Sequence, residues 1–191
     1  MTKISIIGTG NMGKAIAELV VKGGNEAQLI GHADADTAVS GDIVVLAVPY
    51  SALSEVVADR ATQLTGKVVA DITNPVNFET FDSLTVPPDG SATSELAAAL
   101  PESHVVKAFN TNFAATLASG QVGGLPTTVF IAGDNDDAKL ILAQVVTAAG
   151  LNAVDAGSLA RARELESIGF QQIALAASEK ISWSAGFALV P

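Results

Sequence analysis

The chain has no cysteine, two histidines, one tyrosine and one tryptophan in 191 residues. Without cysteine there is no disulfide framework, no thiol nucleophile and no thiolate metal centre. The histidines, His32 and His104, stand far apart with no acidic cluster around either, so no metal site is expected. Basic residues are scarce as well: ten Lys and Arg against twenty Asp and Glu leave a formal net charge of −10. Such a surface repels polyphosphate at long range, which argues against nucleic acid or an anionic membrane as partner. No run reaches the roughly 18 apolar residues of a membrane span, and the N-terminus lacks a basic stretch followed by an apolar leader core. The expected address is the cytoplasm.

What is present is an ordinary globular balance, 49% hydrophobic and 16% charged, in a length that suits one well-buried domain. Apolar β-branched runs alternate with Ala/Leu-rich stretches of helical period. This predicts strands near 3–8, 27–31, 42–48, 67–72, 104–109, 127–132 and 151–155, and helices near 11–23, 50–64, 92–100, 135–149 and 158–180. The fold class is α/β: a Rossmann-type, doubly wound, mostly parallel sheet. It forms a single domain over 1–191, with a core at 1–156 and a C-terminal helix and tail at 157–191. Asp134 or Asn135 and Ser158 are the expected N-caps. Leu159, Ala162, Leu165, Ile168, Ile173 and Ala176 form the stripe by which the last helix packs on the sheet. An ion pair of Arg163 with Glu166 is the expected use of the arginines there. The Pro/Gly/Ser-rich stretch at 84–94 is read as an excursion, since strand-helix units resume after it.

The most informative segment is "ISIIGTGNMGKAIAELV", 4–20. In G-x-G-x-x-G, Gly8 permits the tight turn out of the first strand, Gly10 lets a pyrophosphate approach the backbone, and Gly13 allows close packing of helix on sheet. Thr9, Asn11 and Met12 complete the loop, whose free N–H groups and positive helix end face the anion. Alone the motif is weak, but here it ends a strand and opens an amphipathic helix. At the end of the second strand, where a carboxylate normally grips the adenosine ribose, stand Gly31 and His32. Gly31 leaves room for a 2'-phosphate and His32 can donate to one, which favours NADP over NAD; Asp34 and Asp36 oppose it unless they point away. Only "HADADTAVSG" separates the second strand from the third, too short for the usual helix.

Further motifs fall at the carboxyl ends of later strands, where ligands of such sheets lie. Ala47, Val48 and Pro49 close the third strand, with Tyr50 placed to stack or bond at the cofactor edge. Asn74 and Pro75 follow the fourth, the Asn74 amide suiting a carboxamide or ribose. "KAFNTNF" ends the fifth, where Ala108 and Asn110 are assigned to the cofactor, and Thr111, Asn112 and Phe113 to a ring-shaped substrate. Lys107 reads as a strand lysine reaching solvent, and His104 as a surface residue.

Taken together, "IIGTGNMGKAIA", "DIVVLAVPY", "VADITNP", "VVKAFNT" and "DAGSLARARELE" resemble the family of NADPH-dependent oxidoreductases that reduce the 5-deazaflavin coenzyme F420. The resemblance runs over nearly the whole chain. It implies NADP(H) along the carboxyl ends of the strands and a small-molecule hydride acceptor of flavin type, F420 or FMN, near the nicotinamide. It also implies an apolar tail, including Trp183, at the acceptor pocket or a homodimer contact. The chain departs from the family in having His32-Ala33 where a basic pair is usual, and in lacking the helix after the second strand. Hydride transfer between two rings needs orientation and dryness more than an acid-base group, which suits a chain this poor in such groups. Two alternatives stay open: a non-catalytic NADP(H) sensor, and an imine or carbonyl reductase resembling pyrroline-carboxylate reductase.

Overall fold

The computed structural model describes residues 1–34 and 36–190. Its frame is a seven-stranded sheet of β1 (Lys3–Ile7), β2 (Glu26–Ile30), β3 (Ile43–Leu46), β4 (Val68–Asp71), β5 (His104–Ala108), β8 (Thr128–Gly133) and β9 (Asn152–Gly157). The spatial order is β2-β1-β3-β4-β5-β8-β9. Five helices lie between these strands in the chain, α1 (Asn11–Lys22), α2 (Leu53–Leu64), α3 (Ala92–Ala99), α4 (Ala114–Ser119) and α5 (Asp136–Ala148), and α6 (Ala162–Ala177) follows the last. The chain reverses between β1 and β3, the switch point at which a crevice opens outside the carboxyl ends of such strands.

Every neighbouring pair in the sheet is parallel except β5 with β8. The reversal follows from the connection. After β5 the chain makes the short helix α4 and a small hairpin, β6 (Gln121–Val122) with β7 (Leu125–Pro126). Gly123 and Gly124 turn it with positive φ. The chain therefore re-enters the sheet from the same end that it left. The sequence pattern predicts neither element, since six residues of helix without a side-chain cap and four residues of strand carry too little periodicity.

The strands are buried on both faces because helices cover both. One core lies under α1, α4 and α5, built on Ile4, Ile6, Ile16, Val45, Val106 and Leu142. The other lies under α2 and α3, around Ile30, Val44, Leu46, Leu64 and Val69. Predicted boundaries hold to within four residues for each large element, the widest gap being at the start of α6. Asn135 caps α5, its side-chain oxygen accepting from Ala138 N at 2.8 Å. Ser158 precedes only a 3-10 turn at Leu159–Arg161 and makes no side-chain cap bond.

In α6 the expected stripe is correct at Ala162, Leu165 and Ala176, but Ile168 is exposed. The inward positions between them include Glu166, Gly169 and Gln172, all buried, so the inner face is more polar than its aliphatic pattern implies. The expected pair of Arg163 with Glu166 is not formed. Arg161 pairs instead with Glu164 at 3.2 Å, and Glu166 turns into the protein.

The missing helix after β2 is confirmed: among the described residues the connection holds one 3-10 turn, His32–Asp34. Helix α2 takes over its bracing role. Arg60, only 6% exposed, donates from its two terminal nitrogens to Thr37 O at 2.8 Å and Asp34 O at 3.0 Å. Gln63 accepts from Val39 N nearby.

Candidate active site

At the carboxyl end of β1 the three glycines do different jobs. Gly8 has φ +117°, and a Cβ there would stand 2.1 Å from Ala47 O. A Cβ on Gly13 would stand 2.0 Å from Gly8 O. Both are needed for the turn and for the seating of α1 on the sheet. Around a Cβ on Gly10, by contrast, nothing lies within 4 Å. Packing does not require glycine there, and the open space adjoins the start of α1, where Gly10 as N-cap supplies no side-chain cap. Uncapped N–H groups over an open concavity suit an anion.

That concavity is part of a cleft of about 320 Å³ lined by Gly8, Thr9, Gly10, Gly31, His32, Ala47, Val48 and Pro49. Eight of the expected cofactor residues thus meet in one place. Asn11, Met12 and Gly13 continue into α1 behind it: Asn11 is exposed, Met12 packs against the core and Gly13 is buried. Glu55, Asp59 and Arg60 form the opposite wall. His32 is exposed at the β2 end. Asp34 turns back to the end of β2, where its Oδ2 accepts from Gly31 N at 2.8 Å.

Tyr50 faces a second cavity, about 380 Å³, between α2 and α3. Its hydroxyl donates to Glu95 Oε2 at 2.6 Å. Burial, and then the adjoining Glu95 carboxylate, push the phenol up to about 12. Tyr50 is therefore a neutral hydrogen-bonding group at neutral pH.

The far end of the crevice is built differently. Phe109 closes β5 with φ +60° while wholly buried. This uncommon conformation for a bulky residue turns the chain into the crevice. Asn110 Nδ2 donates to Asn74 Oδ1 at 2.9 Å and to Leu165 O at 2.8 Å, while Asn74 Nδ2 donates to Asn110 O. The two asparagines expected to meet the cofactor thus join β4, β5 and α6. Gly169 permits this approach, since a Cβ there would stand 2.3 Å from Asn74 Oδ1. Asn110 Oδ1 and Thr73 Oγ1 are buried without a partner, an unmet demand that a polar ligand can satisfy. Pro75 is buried and Ala108 lies wholly within the core, so neither lines the two clefts.

The expected substrate residues divide. Thr111 and Asn112 are buried, and Asn112 Nδ2 donates to Thr128 O, tying this loop to β8. Phe113 and Trp183, distant in sequence, come together with ring centroids 5.0 Å apart. Trp183 remains 55% exposed.

Lys107 is corrected outright. It is wholly buried, with Nζ 2.8 Å from Asp71 Oδ2, 2.9 Å from Glu166 Oε1 and 2.6 Å from Thr73 O. A sequence signal existed for it: VVAD at 68–71 and HVVK at 104–107 are neighbouring strand segments that each end on a carboxylate or an ammonium, and Asp71 pairs with Lys107 in register. Glu166 and Thr93 complete the cluster from α6 and α3, and no local pattern marks them. His104 is exposed, with Nδ1 3.2 Å from Asn135 Nδ2. Among the described residues no group of three or more metal-ligating side chains is assembled, and no helix is long and apolar enough to cross a membrane.

A glycine cradle at the first strand end and a crevice at the switch point define a Rossmann-type dinucleotide-binding protein. Comparison with known proteins narrows the class. The family model for coenzyme F420-dependent NADP oxidoreductases matches residues 25–75. The F420-dependent NADP reductase of Methanocaldococcus jannaschii is 30% identical over 159 residues, which are 81% of this chain and 71% of that protein. The rat metalloreductase STEAP3 is 30% identical over 181 residues, 87% of this chain but 36% of that protein. Among solved structures, a protein of Arthrobacter sp. FB24 assigned as an F420-dependent NADP-reductase superimposes over the full length of both chains, with a TM-score of 0.86 at 24% identity. The chain belongs to the F420-dependent NADP oxidoreductase family. The family description and the archaeal relative name coenzyme F420, and neither names FMN.

Proposed function

We propose that this protein transfers hydride between NADP(H) and a deazaflavin ring of the F420 type. The observation that carries the reading is the open space at Gly10 inside a cradle whose other two glycines are fixed by packing. Backbone N–H groups at the start of α1 hold the pyrophosphate, Gly31 and His32 meet the adenosine end, and Ala47–Pro49 form the floor between. Asn110 Oδ1 offers a buried acceptor towards the far end. When bound, the nicotinamide supplies or takes up the hydride. The protein's task is to orient two rings and exclude water. Phe113 and Trp183 offer an aromatic surface for the acceptor.

The chemistry of the crevice fits this division of labour. His32 lies at the adenosine end, His104 is at the opposite end of β5, and Tyr50 stays protonated. Hydride exchange between ring systems requires orientation rather than a proton donor or base at the reacting atoms. The protein acts on a small molecule, and the exposed Trp183, Phe187 and Leu189 of the tail are offered as a contact in a homodimer.

The test is anaerobic oxidation of NADPH by the purified protein with coenzyme F420, FMN, FAD and a quinone in separate reactions, and NADH run in parallel. Turnover confined to the deazaflavin is the expected result. Tight NADPH binding without turnover by any acceptor would overturn catalysis and leave a dinucleotide sensor.

A further inference from the structure

Behind the far half of the crevice, four elements bury a charged cluster. Asp71 closes β4, Lys107 lies in β5, Thr93 begins α3 and Glu166 comes from α6. Both carboxylates and the ammonium are 0% exposed. Each of the four carboxylate oxygens receives a hydrogen bond. Asp71 Oδ1 accepts from Thr73 N, and Asp71 Oδ2 from Lys107 Nζ and Thr93 Oγ1. Glu166 Oε1 accepts from Thr93 N and pairs with Lys107 Nζ, and Glu166 Oε2 accepts from Ala92 N. The groups around them are three backbone N–H groups, the Lys107 ammonium and the Thr93 hydroxyl, whose Oγ1 stands 2.8 Å from Asp71 Oδ2 and 3.3 Å from Glu166 Oε1. By formal charge the cluster sets two carboxylates against one ammonium.

Burying an unbalanced charge is costly unless it serves something. Part of the second carboxylate's charge is answered by the N-terminus of α3, whose Ala92 and Thr93 N–H groups donate to Glu166, and this fastens α6 to α3. The position of the cluster gives the excess charge a use. A dinucleotide whose adenosine half lies over β1 and β2 extends in the other direction across β3 and β4. Its nicotinamide end thereby reaches the strand ends where Asp71 and Lys107 stand. The influence of the cluster extends beyond its own residues: besides burial and Glu95, the Glu166 and Asp71 carboxylates help raise the phenol of Tyr50, which follows the cleft residue Pro49.

We propose that the Asp71–Lys107–Glu166 cluster is an electrostatic positioning element of the hydride-transfer site, whose net negative charge favours the cationic, oxidised nicotinamide over the neutral, reduced one. This rests on the dinucleotide reading above. Its consequence is that the protein makes bound NADPH a stronger hydride donor than free NADPH. The hydrogen-bonded cage holds the charge fixed, so no reorganisation is needed when charge develops.

The experiment is titration calorimetry of NADP+ and NADPH separately against the wild-type chain, Glu166→Gln and Asp71→Asn, reading the ratio of the two dissociation constants. Each substitution removes one unit of negative charge from a different element. For a unit charge several ångströms away at an effective dielectric near 20, the ratio is expected to shift by about tenfold towards NADPH in either variant. A role in fastening the helices alone would weaken both forms equally and leave the ratio unchanged, which overturns the proposal. Should the variants not fold, the wild type decides. Binding NADP+ at least as tightly as NADPH supports the cluster's role, and a preference for NADPH overturns it. Failure of the wild type to bind either form would instead remove the dinucleotide reading itself, a result distinct from an unshifted ratio.

Discussion

The two ends of the crevice are built from opposite materials. At the β1 end the site is backbone: three glycines within six residues, one open and two sealed by packing. At the β4–β5 end it is side-chain charge, assembled from Asp71, Thr93, Lys107 and Glu166 with no exposed atom among the charged groups. A backbone site works by what is absent and is damaged by adding atoms. A buried charge network works by completeness and is damaged by taking atoms away. The former can therefore lose function without losing the fold, whereas the latter risks both together.

The sharpest contrast comes from removing the ammonium. Lys107→Ala strands two buried carboxylates, and a loss of about 3–5 kcal/mol is expected, read as a fall in the urea midpoint. A loss under 1 kcal/mol would show that the cluster is wetter or looser than its geometry. At the other end, the Cβ that Gly10→Val adds finds no protein atom within 4 Å. Its unfolding midpoint should stay close to wild type while NADPH affinity falls by about a hundredfold or more, consistent with blocked access to the anion-binding N–H groups. Unchanged affinity in a calorimetric titration would remove the glycine loop from the site.

Smaller effects test finer parts of the same division. His32 and Arg60 are the basic residues of the adenosine end, and Arg60 bonds to Thr37 and Asp34 carbonyls. His32→Ala should weaken NADPH more than NADH by about three- to tenfold, the scale of one partly exposed charge-assisted hydrogen bond. Equal effects on both would exclude His32 from phosphate recognition and leave Asp34, turned towards Gly31, to read the ribose. Away from the crevice, Asp155 provides an exposed control for the buried cluster. The Lys139 ammonium, and then Gly157 N–H, hold its carboxyl below the usual range. A depressed folded-state value gives stability above the unfolded value and loses it as pH falls through the folded one. With Asp155 59% exposed, Asp155→Asn should cost at most about 1 kcal/mol near neutrality. The cost should fade in acid; a thermal-melt difference that persisted at low pH would show that the pair does not act through charge.

The same contrast explains which parts of the molecule were legible beforehand. The glycine loop, the first strand and α1 are contiguous, so spacing and period expose them, and Gly8, Thr9, Gly10, Gly31, His32 and Ala47–Pro49 meet as expected in one cleft. Asn74 and Asn110 were rightly placed at strand ends, yet their amides bond mainly to each other and to α6. Sequence pattern alone makes Lys107 a solvent-reaching residue, because a lysine in a strand usually is one. Its partner Glu166 sat at helical spacing from Arg163, which made a surface ion pair the simpler reading. The bracing of the short β2–β3 connection by Arg60 was equally hidden, for nothing in the α2 sequence marks its single arginine as turning inward.

By itself the sequence determined the alternation of strands and helices, the Rossmann class and the cradle for an anion, because each depends on residues adjacent in the chain or repeating with a fixed period. Tertiary structure alone decided that β8 runs against β5, that Tyr50 turns to Glu95, and that an excess carboxylate is sealed behind the crevice. Those outcomes depend on which elements meet in space. A charge is tolerable in a core only if distant segments deliver its partners, and no local pattern states where distant segments will go.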